Sequence, residues 1–225
     1  MSSTPLFIGR STEKRLLEAR WRSGISELFV LYGRRRVGKT ELLRHFSRGK
    51  RTLFTVGTRS DGRSQVRHFI VELSRLSGEA DLMALPIYDW DTALGRFDAF
   101  LRKTRGKILL ILDEFQWMAE ASPELPSLFQ KWWDQSWSRD GRLFLVLCGS
   151  YLGFMEREVL AHRSPLFGRR TAVLNLKPLP FQESRMFHPR MPLKEQAKRH
   201  LLCGGIPAYH KFFSTSESLS LQLMV

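Results

Sequence analysis

The sequence predicts an α/β fold, a parallel five-stranded sheet flanked by helices, and three observations carry that prediction. Five short apolar runs recur through roughly the first three quarters of the chain. Stretches with a single apolar face at helical spacing lie between them. A glycine-bracketed loop joins the first run to the helix after it. Strands that alternate with helices need crossover connections, which leave the strands parallel and both sheet faces covered.

The runs at 28–32, 52–56, 108–112, 143–148 and 171–174 are the expected strands. Val66, Phe69, Ile70, Leu73 and Leu76 share one helical face, Trp90, Leu94, Phe97 and Leu101 a second, and Leu125, Leu128, Phe129, Trp132 and Trp133 a third. After Pro178 the pattern is helical throughout, over 181–187, 193–202 and from about Pro207. The expected organisation is a core at 1–178 and the beginning of a helical lid at 179–225. The apolar tail at 218–225 has no cap, so the expectation is that a larger C-terminal region once followed.

Gly33-Arg34-Arg35-Arg36-Val37-Gly38-Lys39-Thr40 fits the spacing G-x-x-x-x-G-K-[ST], directly after the first strand and before the helical Glu41-Leu42-Leu43. The glycines let backbone N–H groups turn around a phosphate, and the following helix aims its positive end at the same point. Lys39 is then the contact to the β- and γ-phosphates of ATP, and Thr40 a ligand of Mg²⁺. The third strand ends in Asp113-Glu114, at the sheet edge where ligands of open parallel sheets bind. Asp113 is the second expected Mg²⁺ ligand and Glu114 the expected catalytic base; the plainer reading is that both acids cap the next helix. A strand at 52–56 lies between the two motifs in sequence, compatible with the additional-strand class of P-loop NTPase, in which a strand also separates them in space.

Ser150 follows the fourth strand and is placed to sense the γ-phosphate or hold the attacking water, or else to cap the helix beginning at Leu152. Arg169 and Arg170, just before the fifth strand, are candidates for stabilising the transferring phosphoryl group, in cis or from a neighbouring subunit, or an ordinary surface pair.

Together these motifs resemble the ATPase family found predominantly in Archaea, grouped with the signal-transducing STAND ATPases and related to the AAA+ class. Phe7-Ile8-Gly9-Arg10 with Glu13 looks like that group's N-terminal element, which implies Gly9 and Arg10 near the nucleotide base; without the resemblance, Arg10 reads as a surface residue. Residues 33–40 and 108–114 match its Walker A and B elements, and 164–171 resembles its S-P-L-aromatic-G-R-R-T segment. Gly204-Gly205-Ile206-Pro207-Ala208-Tyr209 resembles the Gly-x-Pro motif that opens its helical subdomain, which implies Pro207 near the nucleotide. The family likeness implies a nucleotide-regulated switch, often followed by a winged helix or a nuclease-like domain, for which this sequence has no matching segment.

The net charge of +14 at pH 7 raises the question of an anionic partner. Twelve lysines and arginines against three acids fall between Arg34 and Arg75, more than ATP needs, so DNA or RNA is a candidate partner beside plain surface solvation. A homo-oligomer and a protein partner are also compatible with the sequence. The longest apolar runs fall far short of the roughly 20 residues of a membrane span, and Met1-Ser2-Ser3-Thr4-Pro5 has no export signature, so a cytoplasmic location without membrane association is expected. Two cysteines in apolar contexts suit core thiols. Helical spacing assigns most of Trp117, Trp132, Trp133 and Trp137 to packing, and the histidines lack metal-ligand spacing. The leading reading is a Mg²⁺-dependent ATPase acting as a switch; the competing ones are an ATP-binding regulatory module with negligible turnover and a nucleic-acid-binding ATPase.

Overall fold

The computed structural model describes residues 7–212, so the readings of Met1–Pro5 and of the tail at 218–225 lie outside the described residues. Strands β1 (Glu27–Tyr32), β2 (Thr52–Val56), β3 (Ile108–Asp113), β4 (Leu143–Gly149) and β5 (Ala172–Asn175) form one parallel sheet in the order β2-β3-β4-β1-β5. β3 and β4 are buried along their whole length, as continuous apolar runs require, whereas at the sheet edges β2 alternates in burial and β5 has no fully buried residue. The strand that separates the loop-bearing β1 from the acidic β3 is therefore β4, and residues 52–56 lie at the edge instead. Order along the chain does not set order across the sheet; the double-sided burial of β4 does.

Successive side chains along each strand point to opposite faces and build two cores. Leu28, Val30, Leu110, Leu112, Leu145 and Leu147 pack against α3 (Gly62–Ser77), α4 (Trp90–Lys103), α5 (Phe115–Ala121) and α6 (Leu125–Trp132). Phe29, Leu31, Leu109, Ile111, Phe144 and Val146 pack against α1 (Ser11–Trp21) and α2 (Lys39–Ser47). Asp61 and Asp89 cap α3 and α4 by accepting from the amides of Ser64 and Thr92. α6 continues through a π-helical turn at Trp133–Trp137 into α7 (Ser138–Asp140), and both end indoles of that turn are buried. The Trp137 indole N–H and the Ser136 hydroxyl donate to the buried Asp98. α8 (Leu152–Phe154) runs into a second π-helical turn, Met155–Leu160. No helix among the described residues is long and apolar enough to cross a membrane.

The chain then forms α9 (Phe181–Ser184), α10 (Leu193–Cys203) and α11 (Pro207–His210). Inside them His188 Nε2 and His210 Nδ1 lie 3.2 Å apart, both residues 1% exposed. Burial, reinforced by His188, His200 and Arg199, holds His210 down to about 4, and burial lowers His188 as well. A histidine depressed in the folded state takes up its proton first in the unfolded chain. Its stabilising effect is therefore complete above about pH 6.5 and is lost as pH falls toward 4, up to ~3 kcal/mol in all. In thermal melts across that window the parent should lose stability more steeply than His210→Gln; parallel curves would contradict the assignment.

Candidate nucleotide site

Because all five strands are parallel, β1, β3 and β4 end at the same edge, and the segment 33–40 folds there into a loop between β1 and α2. Gly33 passes so close to β5 that a Cβ would come 2.4 Å from the Leu176 carbonyl oxygen. Gly38, at φ 96°, makes the left-handed turn that starts α2. The unpaired amides of the first turn of α2 then face the loop, the arrangement that attracts an anion. Lys39, 5% exposed, folds over the loop and donates to the Gly33 and Arg34 carbonyls at 2.9 and 3.0 Å. Burial pushes its pKa down, against the pull of Cys148, Glu114 and Asp113. Val37 is buried, whereas Arg34, Arg35, Arg36 and Glu41 are exposed around the rim. The Arg36 guanidinium lies over the Tyr209 ring at 5.6 Å.

The Thr40 hydroxyl donates to Asp113 Oδ2 at 2.6 Å, and the Glu114 amide donates to Asp113 Oδ1 at 3.0 Å. A hydroxyl and a carboxylate oxygen so placed are hard donors of the kind Mg²⁺ prefers, so this pair fits that ion. Behind them Cys148 is fully buried, and burial, with Asp113 beside it, raises its thiol well above the usual range. Cys203 is also a buried free thiol.

Glu114 occupies the N-cap position of α5 in a left-handed conformation, φ 52°, but its side chain caps nothing. Its carboxylate instead accepts from the Ser150 hydroxyl at 2.6 Å and from the Gln116 amide. Ser150 likewise makes no cap for α8; the N-cap there is Tyr151, without a side-chain bond. Gln116 escaped the sequence reading because no motif spacing reaches it: it sits in the first turn of α5 and turns inward, fully buried.

On the other side of the loop, Arg10 is 3% exposed rather than a surface residue. It donates to the Val37 carbonyl at 2.9 Å and to Glu13 at 2.8 Å, and its amide donates to Glu183 at 2.9 Å. Gly9, beside it, abuts the same Glu183 carboxylate. A cavity of about 320 Å³ opens here, walled by Phe7, Arg10, Val37, His45, Phe187 and Pro207. That size is sufficient for a small ligand. Pro207, at the start of α11, packs 3.8 Å from the position a Cβ on Gly38 would occupy. Glu183 is the second site-adjacent residue that the sequence reading missed; only the fold brings it to Arg10.

Arg169 and Arg170 do not join this site. They precede β5, which runs parallel to β1, so they lie at the amino edge, about 15 Å of strand away from the loop. Arg169 holds Asp134 through two bonds, at 2.8 and 2.6 Å, and Arg170 donates to the Leu160 carbonyl. A role in cis for these arginines is thereby corrected. Arg169→Ala should leave Mg·ATP binding unchanged in titrations of the isolated domain, and a lost affinity would reopen the cis role.

The basic block Arg34–Arg75 does not form one face either. α2 and α3 lie on opposite sides of the sheet. Arg44, Lys50 and Arg75 pair with Glu41, Glu18 and Glu72, and Arg59 stacks at 4.2 Å on Trp117, which is only partly buried. A local excess in sequence is thus divided among separate surfaces.

The model of a family described as "ATPase domain predominantly from Archaea" matches residues 7–207. The chain belongs to this family. As such an ATPase domain it is 29% identical over 204 residues to an uncharacterized protein of Methanocaldococcus jannaschii, covering 91% of this chain and 43% of that one. The domain thus spans less than half of that relative's length. It is similar in structure to a Walker-type ATPase of Pyrococcus abyssi, with a TM-score of 0.73 at 21% identity over 93% of this chain and 67% of that one. It is similar also to the Aeropyrum pernix ORC2 protein, with a TM-score of 0.58 at 20% identity over 87% and 53%. These two likenesses establish the fold, an AAA+-like P-loop arrangement. The family membership makes the chain an ATP-binding P-loop ATPase domain.

Proposed function

We propose that this domain binds Mg·ATP at the carboxyl edge of the sheet, hydrolyses it, and uses the nucleotide as a switch on its C-terminal helices. The approach of Thr40 to Asp113 at 2.6 Å, beside Lys39 and one residue before Glu114, carries the reading. The loop amides and Lys39 hold the β- and γ-phosphates. Thr40 and Asp113 would hold Mg²⁺, which when bound neutralises phosphate charge. Glu114 orients a water and accepts its proton as the water oxygen bonds to the γ-phosphorus; the bond to the bridging oxygen breaks, giving ADP and phosphate. Ser150 steadies the Glu114 carboxylate.

The switch rests on two contacts between the loop and the C-terminal helices. Arg10 ties the Val37 carbonyl to Glu183, and Pro207 lies against Gly38. A phosphate that moves the loop therefore acts on both α9 and α11. Arg169 and Arg170 can reach only the site of a neighbouring copy, and the divided basic block lends no support to a nucleic-acid partner.

Phosphate release and Mg·ATP-dependent melting, measured on one preparation, test the proposal. Stabilisation with release is the expected result. Stabilisation without release would make the domain a regulatory module in which ATP is only a conformational ligand, and neither would refute the site.

A further inference from the structure

We propose that Gln116 is a positioning residue for ATP hydrolysis, acting through Glu114; the inference rests on Glu114 being the base. The Gln116 side chain is fully buried between α5 and the end of β4. Its amide nitrogen carries two hydrogens and has two acceptors, Glu114 Oε2 and the Ser150 hydroxyl at 3.3 Å. The Ser150 hydroxyl passes its own hydrogen to the same Glu114 oxygen at 2.6 Å. The three side chains close a triangle whose directions follow from Glu114 serving as the base, since a carboxylate in that role only accepts and a reversed amide would set oxygen against oxygen.

Folding alone does not account for this amide. Among the described residues Gln116 Oε1 is buried with no protein partner, an arrangement that destabilises the fold and that an apolar residue of similar size would avoid. Space is also reserved for it: a Cβ on Gly149 would come 2.9 Å from Gln116 Oε1 and 2.4 Å from Met155 Sδ. What the amide supplies is order. Rotation of a glutamate carboxylate about its last torsion is broad, and two donors on one oxygen fix it. General-base catalysis depends on that placement, since the carboxylate must meet the water within hydrogen-bond reach.

The decisive measurement is a double-mutant cycle on turnover. Gln116→Leu should lower kcat about tenfold while KM and the Mg·ATP-induced melting shift stay within about twofold of the parent. In the Glu114→Gln background the same change should cost nothing further, because there is no longer a base to place. An equal fractional loss in both backgrounds would mark Gln116 as merely structural, and an undiminished kcat would overturn the proposal outright. Should Gln116→Leu fail to fold, Gln116→Glu takes its place: it is isosteric, sets a second carboxylate against Glu114, and carries the same expectation. A parent that binds Mg·ATP without releasing phosphate would remove the base itself, an outcome distinct from failure of the Gln116 variants alone.

Discussion

Lys39→Ala should abolish the stabilisation that Mg·ATP gives the parent domain. A ligand at about 100 times its dissociation constant adds roughly 2.7 kcal/mol to the native state. For a chain of this length that is a rise in Tm of roughly 5–10 °C. Lys39 is the buried cation of the loop, and its Nζ sits within 3.0 Å of two loop carbonyls, where it closes the anion site formed by the first turn of α2. Burial already lowers its pKa, so its charge is held there at a cost that a bound polyphosphate offsets. Alanine removes the charge and leaves the loop amides, which hold a phosphate far less tightly alone. A variant with the parent's full melting shift would show that the nucleotide binds elsewhere.

Glu114→Gln separates binding from chemistry. The amide has the shape of the carboxylate and can still meet Ser150 and Gln116, while Thr40, Asp113 and Lys39 are untouched, so the melting shift with Mg·ATP should persist. Loss of the proton acceptor should lower kcat by roughly 10²–10⁴. Equal turnover in variant and parent would assign the base to another residue. The two substitutions together test the proposed division between groups that hold the nucleotide and a group that acts on water.

The glycine-bracketed loop was legible because its geometry is local: eight consecutive residues supply the turn, the amides, the lysine and the hydroxyl. Asp113 and Glu114 were legible for a related reason, since an apolar run that ends in acids puts them at a strand's carboxyl end. Arg10 was open to two readings, because its side-chain bond to the Val37 carbonyl and its backbone bond to Glu183, 173 positions away, form only in the fold. Gln116 had no sequence signal, since its partners Glu114 and Ser150 meet only once β3 and β4 pair. Arg169 and Arg170 look like site residues in a linear reading and prove remote from the loop, because a parallel strand carries the residues before it to the opposite edge.

By itself the sequence determined the α/β class, the five strands of the sheet, and the glycine-bracketed turn between β1 and α2. Each is encoded by neighbours within a few turns or a few strand residues, where apolar period and backbone preference act directly. Tertiary structure decided that β4 lies between β1 and β3, that the basic block is split across two faces, and that Glu114, Gln116 and Ser150 form one hydrogen-bonded triangle. Those features follow from which strands share a double-sided core, a choice made by burial between residues far apart in the chain.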